Sequence, residues 1–182
     1  MAVIHTYSGK RVDIVCPDAE QIALEDIAHA LSFLCRGSGQ TRVFFPVARH
    51  CMLCAREALA NGLPRDIALL CLLHDASEAY MADLPRPVKT ELVPDYIRYE
   101  QHLLDCIYRK FLGRTPTDEE LAAVRDIDDR LLPYDMKYLL GADAELPPVQ
   151  VTVDYTPEPF EKTERDYLRL AADLLGSAGS TV

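Results

Sequence analysis

What the sequence lacks narrows its class before any motif is read. No stretch approaches the about 18 uninterrupted apolar residues of a membrane-spanning helix, and the opening "MAVIHTYSGKRVDIV" has no basic segment followed by an apolar block. A cytoplasmic protein without a membrane partner is expected. Positive charge is scarce: 19 Lys and Arg stand against 29 Asp and Glu, a net charge of -10. Phosphate contacts need clustered Lys and Arg, so a large nucleic-acid partner is not expected. A small anionic substrate stays open if the site supplies its own positive charge. Cys51-x-x-Cys54 has no second CxxC and no thioredoxin-like βαβ context. The six cysteines, Cys16, Cys35, Cys51, Cys54, Cys71 and Cys106, are therefore read as reduced, and all but Cys16 sit in apolar helical patterns as small hydrophobes. Internal repeats and low-complexity tracts are missing too.

What is present suits one folded domain. A hydrophobic content of 49% excludes global disorder, and 182 residues can bury a sizeable core without staples. "IHTYSGKRVDIV" alternates weakly around Ser8-Gly9 and suggests a small hairpin. "LEDIAHALSFLCR" puts Ile27, Leu31 and Leu34 on one face and stops at Gly37. "PVARHCMLCAREALANG" carries Val47, His50, Cys51, Cys54 and Ala58 on one stripe. "PRDIALLCLLHDASEAYM" is apolar almost all round and reads as one continuous, central helix. "YIRYEQHLLDCIYRKFLG" follows, and then "TDEELAAVRDIDDRLL", opened by the capping-box pattern Thr117-x-x-Glu120 and expected to end at Pro133. After an extended arm, "ELPPVQVTVDYTPEP", comes a last helix around "FEKTERDYLRLAADLLG". The expectation is an all-α bundle of about six helices, a single domain over 1–182 with its core at about 20–140 and the arm and last helix at 145–176.

Several polar residues fall on stripes that should be buried. Ile67, Leu70, Cys71, His74 and Glu78 follow one helical face, with Asp75 about 100° further round. His50 occupies the equivalent stripe of the preceding helix. In "VRDIDDRLL", taking Leu121 as zero, Asp128 falls near about 340°, inside the apolar arc, while Asp129 and Asp126 fall near about 80° and about 140°. His5, His29 and His102 are read as ordinary surface or core residues. Four groups such as His50, His74, Asp75 and Asp128 buried without a cation would carry a large desolvation cost, so either they bind a metal or several are not buried. A mixed imidazole and carboxylate set suits a divalent ion such as Mn, Co, Fe, Ni, Zn or Mg without choosing among them.

His50, the pair His74-Asp75 and the distal Asp128 resemble the H…HD…D signature of the HD-domain superfamily of metal-dependent phosphohydrolases. "HDASEAYMADLPRPVK" is similar to a narrower branch, the bacterial and phage hydrolases that include the 5'-deoxynucleotidases, and the similarity covers roughly residues 4 to 140. The resemblance implies His50, His74, Asp75 and Asp128 as metal ligands. It implies Glu78 as the residue that positions or deprotonates the attacking water, and Asp83 near the leaving oxygen. Arg36 and Lys89 would lie near the substrate phosphate. Read without it, Arg36 is equally a charge favourable to the end of its helix dipole, and Lys89 a solvated loop residue. Relatives often carry an aromatic residue after the arginine; Gly37 stands there, so base stacking by that residue is lost.

The activity expected is hydrolysis of a phosphate ester of a small nucleotide, first a 5'-nucleoside monophosphate. The alternatives are a nucleoside triphosphate hydrolase of the same superfamily and, more remotely, a non-catalytic binding module stabilised by a metal whose shell is closed. A homo-oligomer is expected.

Overall fold

The computed structural model describes residues 2–176. Most of them are helical, as the periodicity predicts, and the six expected helices all form. The small hairpin pairs β1 (Val3–His5) antiparallel with β2 (Arg11–Asp13), Ile4 opposite Val12. Gly9 turns it at φ 81°, in the left-handed region that glycine enters without a Cβ penalty. The turn is tied down from outside: Asp26 accepts from the Ser8 N–H at 2.6 Å and from the Ser8 hydroxyl at 2.8 Å. Asp26 belongs to the first turn of α1 (Leu24–Phe33), so the hairpin is fixed to the bundle by one buried carboxylate.

The core is built on α2 (Val47–Ala60) and α3 (Arg65–Leu73), which pack along each other. Every residue of α3 from Ile67 to Leu73 is buried, which is what a helix apolar on all faces requires. α6 (Pro94–Leu112) and α7 (Asp118–Tyr138) cover one side, and α8 (Phe160–Leu175) lies against α1, α2 and α3. α7 opens with a complete capping box: Thr117 Oγ1 accepts from Glu120 N–H at 3.2 Å, and Glu120 Oε2 accepts from Thr117 N–H at 2.8 Å.

Two helix boundaries differ from expectation, and both bear on the site. The helix expected to run unbroken over 64–81 divides. α3 stops at Leu73, a tightened stretch covers 74–77, and α4 (Glu78–Met81) follows. His74 and Ser77 keep right-handed helical angles, but the bonds shorten to i→i−3: Ala76 N–H to the Leu73 carbonyl and Glu78 N–H to that of Asp75, both 2.9 Å. Side chains serve two carbonyls at this end. His74 Nδ1 lies 2.7 Å from the Cys71 carbonyl, and the buried Tyr167 hydroxyl donates to that of Leu72 at 2.7 Å. The second difference is at Pro133, which does not end α7; the helix continues to Tyr138. The carbonyl that Pro133 leaves free belongs to exposed Asp129, where water can take it.

A further short helix, α5 (Arg86–Glu91), forms where the sequence left a loop open, and it carries Lys89 in its last turn. The arm at 142–159 has no regular secondary structure. It is pinned across α2 instead. Glu57, fully buried, accepts from the N–H groups of Gln150 at 2.8 Å and Val151 at 3.0 Å, and Arg49 donates to the carbonyls of Asp154 and Thr156. No helix among the described residues is long and apolar enough to cross a membrane.

Candidate metal centre and adjoining cavity

Three helices bring ligand-type atoms to one point. α2 supplies His50, the end of α3 supplies His74, and α7 supplies Asp128. His50 Nε2 lies 2.9 Å from Asp128 Oδ1, and His74 Nε2 lies 3.8 Å from the same oxygen. Cys54, one turn beyond His50, joins them: one ligand atom from each of His50, Cys54, His74 and Asp128 falls within 4.8 Å of the others. Asp75 stands beside this group, its Oδ2 3.4 Å from His74 Nε2, and shares His74 with Cys51 in a second, overlapping group. The helical register sorts the aspartates of α7, since Asp128 faces inward while Asp126 and Asp129 are exposed.

The tautomer of His74 follows from its neighbours. A carbonyl only accepts, so Nδ1 carries the proton that goes to Cys71, and Nε2 presents its lone pair. That Nε2 is buried and has no hydrogen-bond partner among the described residues. An orphaned buried lone pair facing two carboxylates has the electronic form of a metal ligand, and a divalent cation fits this donor set.

The electrostatics point the same way. Burial works against ionised Asp128, yet the bond to His50 and the nearby His74 and Arg36 hold its carboxyl far below the usual carboxylate range. Burial and the Arg36 charge oppose a proton on His50, but Cys54, Asp128 and Asp135 raise its pKa well above that of a free imidazole. Burial pushes the Cys54 thiol up, so the cysteine enters the group as a neutral, weak donor.

In front of the cluster opens a cavity of about 650 Å³. Asp75 and Asp128 reach it from the metal side, and Arg36, Glu78, Asp83 and Lys89 line it as well. All eight residues named from the sequence are thus gathered at this one place, the two histidines behind the cavity wall. Six carboxylates (Asp75, Glu78, Asp83, Glu100, Asp128, Asp135) face it against three cationic side chains (Arg36, Arg86, Lys89). Counted as ionised they sum to −3, a field that repels an anion until a cation neutralises it.

Each polar group has a definite partner. Arg36 donates from NH1 to Asp75 at 3.4 Å and from Nε and NH2 to Asp135 at 3.3 and 3.2 Å. Burial alone would lower its pKa, but Asp75, Asp135, Asp128 and Asp83 outweigh that and keep it charged. Lys89 Nζ donates to Glu100 at 2.6 Å and to Glu78 Oε1 at 3.4 Å, so it is a paired cavity residue rather than a free solvated one. The other oxygen of Glu78 is buried without a partner among the described residues. Burial first, then Asp75 and Asp83, raise the Glu78 carboxyl, against the pull of Lys89 and Arg36. Asp83 Oδ2 accepts from Gly37 N–H at 3.1 Å, which locks the rim loop of α4 to a stretch, 37–39, whose three residues all have φ between 53° and 76°.

The sequence reading did not name four groups at the site. Cys54 carried the signal of its i+4 spacing from His50, and Asp135 that of its i+7 spacing from Asp128. Glu100 and Tyr155 carried none, since they arrive through the packing of α6 and the arm.

No model of a known protein family matches the chain. Over 116 residues it is 38% identical to the uncharacterized protein YfdR of Escherichia coli strain K12, a match covering 64% of this chain and 61% of that one. Over 108 residues it is 36% identical to the uncharacterized protein RCAP_rcc00048 of Rhodobacter capsulatus, covering 57% of this chain and 55% of that one. The chain therefore matches less than two thirds of the length of these curated relatives.

Proposed function

We propose that the chain is a metal-dependent phosphohydrolase that removes phosphate from small nucleotides, first of all 5'-nucleoside monophosphates. One observation carries the reading: the buried, unpartnered Nε2 of His74 converges with His50 and Asp128 directly behind a cavity that holds both cationic side chains and a buried carboxylate. The resemblance of "HDASEAYMADLPRPVK" to HD-domain nucleotidases supports the same chemistry.

In this reading His50, His74, Asp75 and Asp128 hold a divalent cation. When bound, such an ion supplies Lewis acidity, making water more acidic and drawing charge from a phosphoryl oxygen. Arg36 and Lys89 bind and orient the phosphate. Glu78 aims its free oxygen at the attacking water and accepts its proton, the Lys89 ammonium steadying the other oxygen. As the new P–O bond forms, the ester P–O bond breaks, and Asp83 sits on the side where the leaving oxygen must gain a proton. Leu132, Met136, Leu139 and Leu140 give the organic part of the substrate an apolar wall.

The test is a screen of the purified full chain against nucleoside mono-, di- and triphosphates with Mn, Co, Fe, Ni, Zn and Mg supplied singly. Release of inorganic phosphate from monophosphates, abolished by chelation, is the expected result. Release of tripolyphosphate from triphosphates alone would move the activity to the triphosphohydrolase alternative. A tightly bound ion with no turnover on any substrate would overturn it.

One observation favours a second reading. His50, Cys54, His74 and Asp128 form a four-donor group that a structural zinc could close. The raised Cys54 thiol argues against it, because thiols ligate as thiolates. Cys54→Ser separates the two: a structural site loses its ion, whereas the hydrolase retains ion and turnover.

A further inference from the structure

We infer that Asp135 and Tyr155 are positioning residues that tie the metal centre to the phosphate-binding arginine; the inference rests on the site reading proposed above. Asp128 and Asp135 are seven residues apart on α7, so about 700° of helical rotation returns them to one face. Each meets a different nitrogen of the same ring: Asp128 Oδ1 lies 2.9 Å from His50 Nε2, and Asp135 Oδ2 lies 3.1 Å from His50 Nδ1. The second approach is close but off the line of a hydrogen bond, since Nδ1 counts as unpartnered, so a small rotation of the ring would complete it. A carboxylate behind a ligating imidazole takes the proton of the nitrogen that does not ligate, and so fixes ring tautomer and orientation.

Asp135 has a second task. Its Oδ2 also accepts from Arg36 Nε at 3.3 Å and NH2 at 3.2 Å, leaving NH1 directed to Asp75 on the metal side. A guanidinium is a planar fork, so fixing two of its nitrogens fixes the direction of the third. One carboxylate therefore sets both the plane of His50 and that of Arg36.

Tyr155 holds the carboxylate in turn. Its hydroxyl donates to Asp135 Oδ1 at 2.8 Å, and its ring packs 4.9 Å from that of Phe45. It comes from the arm, which Glu57 and Arg49 of α2 clamp on both sides of Val153. The arm thus closes a circuit, α2 to arm to Asp135 and back to His50 on α2, and its sequence has a reason to be extended and fixed.

The experiment uses the full chain as wild type, Asp135→Asn and Tyr155→Phe, with Mn²⁺ as the probe. Asn keeps the size of Asp135 and an acceptor oxygen, so both variants are expected to melt within a few degrees of wild type. Mn²⁺ binding, measured by titration, should weaken about 10- to 100-fold in Asp135→Asn, the range for loss of an outer carboxylate, and by less in Tyr155→Phe. The Arg36 Nε–H resonance, followed by ¹⁵N NMR without metal, should shift and lose exchange protection in Asp135→Asn. Folded variants with unchanged Mn²⁺ affinity and an unchanged Arg36 resonance would overturn the inference. If wild type binds no divalent ion, the metal-site reading fails by itself, and the Arg36 resonance still decides whether Asp135 sets the guanidinium.

Discussion

His74 Nδ1 lies 2.7 Å from the Cys71 carbonyl three residues earlier, and this contact, made where α3 gives out, leaves Nε2 bare and buried beside Asp75 and Asp128. Had α3 continued, the Cys71 carbonyl would have taken the Asp75 N–H, and His74 would have lost its anchor. His74→Ala and Asp75→Ala are expected to lose stoichiometric divalent metal at neutral pH, and phosphate release with it. Elemental analysis of the purified variants checks this; full metal content in either would remove that residue from the ligand set.

Glu78 stands in the cavity without entering the ligand group of His50, His74 and Asp128. Glu78→Ala should keep its metal and lose about 10²- to 10⁴-fold in kcat, the usual worth of a positioned acid or base. Steady-state kinetics beside a metal assay decide it. Metal and rate vanishing together would make Glu78 a ligand.

The parts of the fold and site that periodicity controls were legible in the sequence. The inward stripe of α2 carries His50, and the register of α7 places Asp128 inward and Asp126 outward, because a straight helix converts spacing into direction. The break at 74–77 was not legible, since "HDAS" contains neither Gly nor Pro and the residues flanking it remain in the helical region. Pro133 misled in the opposite sense. It reads as a stop, yet its lost bond falls on the exposed side of α7, and the helix carries on to Asp135. Tyr155 and Glu100 reach the site from segments whose local pattern says only "arm" or "surface", and tertiary packing alone brings them in.

The register of α7 gives a discriminating set of variants. Asp128→Asn removes the charge that meets His50 at 2.9 Å and should reduce metal-dependent phosphate release to background. Asp126→Asn and Asp129→Asn alter exposed side chains, and each should stay within about 0.5 kcal/mol of wild type in stability and about twofold in rate. A dead Asp129→Asn beside an active Asp128→Asn would reassign the ligand from α7.

The capping box of α7 makes a pH-dependent prediction far from the site. Arg114 donates to both oxygens of Glu120 at 2.7 Å, and the Thr117 N–H donates to one of them at 2.8 Å. The Arg114 bonds first, then that of Thr117, lower the Glu120 carboxyl from its usual 4.5 to about 2. A carboxyl whose pKa is depressed in the folded chain stabilises it fully above the unfolded value, and the contribution fades as pH falls through the folded one. Wild type should therefore melt above Glu120→Gln at neutral pH, and the gap should narrow between about pH 4.5 and about pH 2. Thr117→Ala, which removes the hydroxyl acceptor at the N-cap, should cost about 0.5–2 kcal/mol at neutral pH. Thermal melts of the three proteins from pH 7 to pH 2 provide the check. A gap between wild type and Glu120→Gln that stays constant down to pH 2 would mean that the ionised carboxylate adds nothing to the capping of α7.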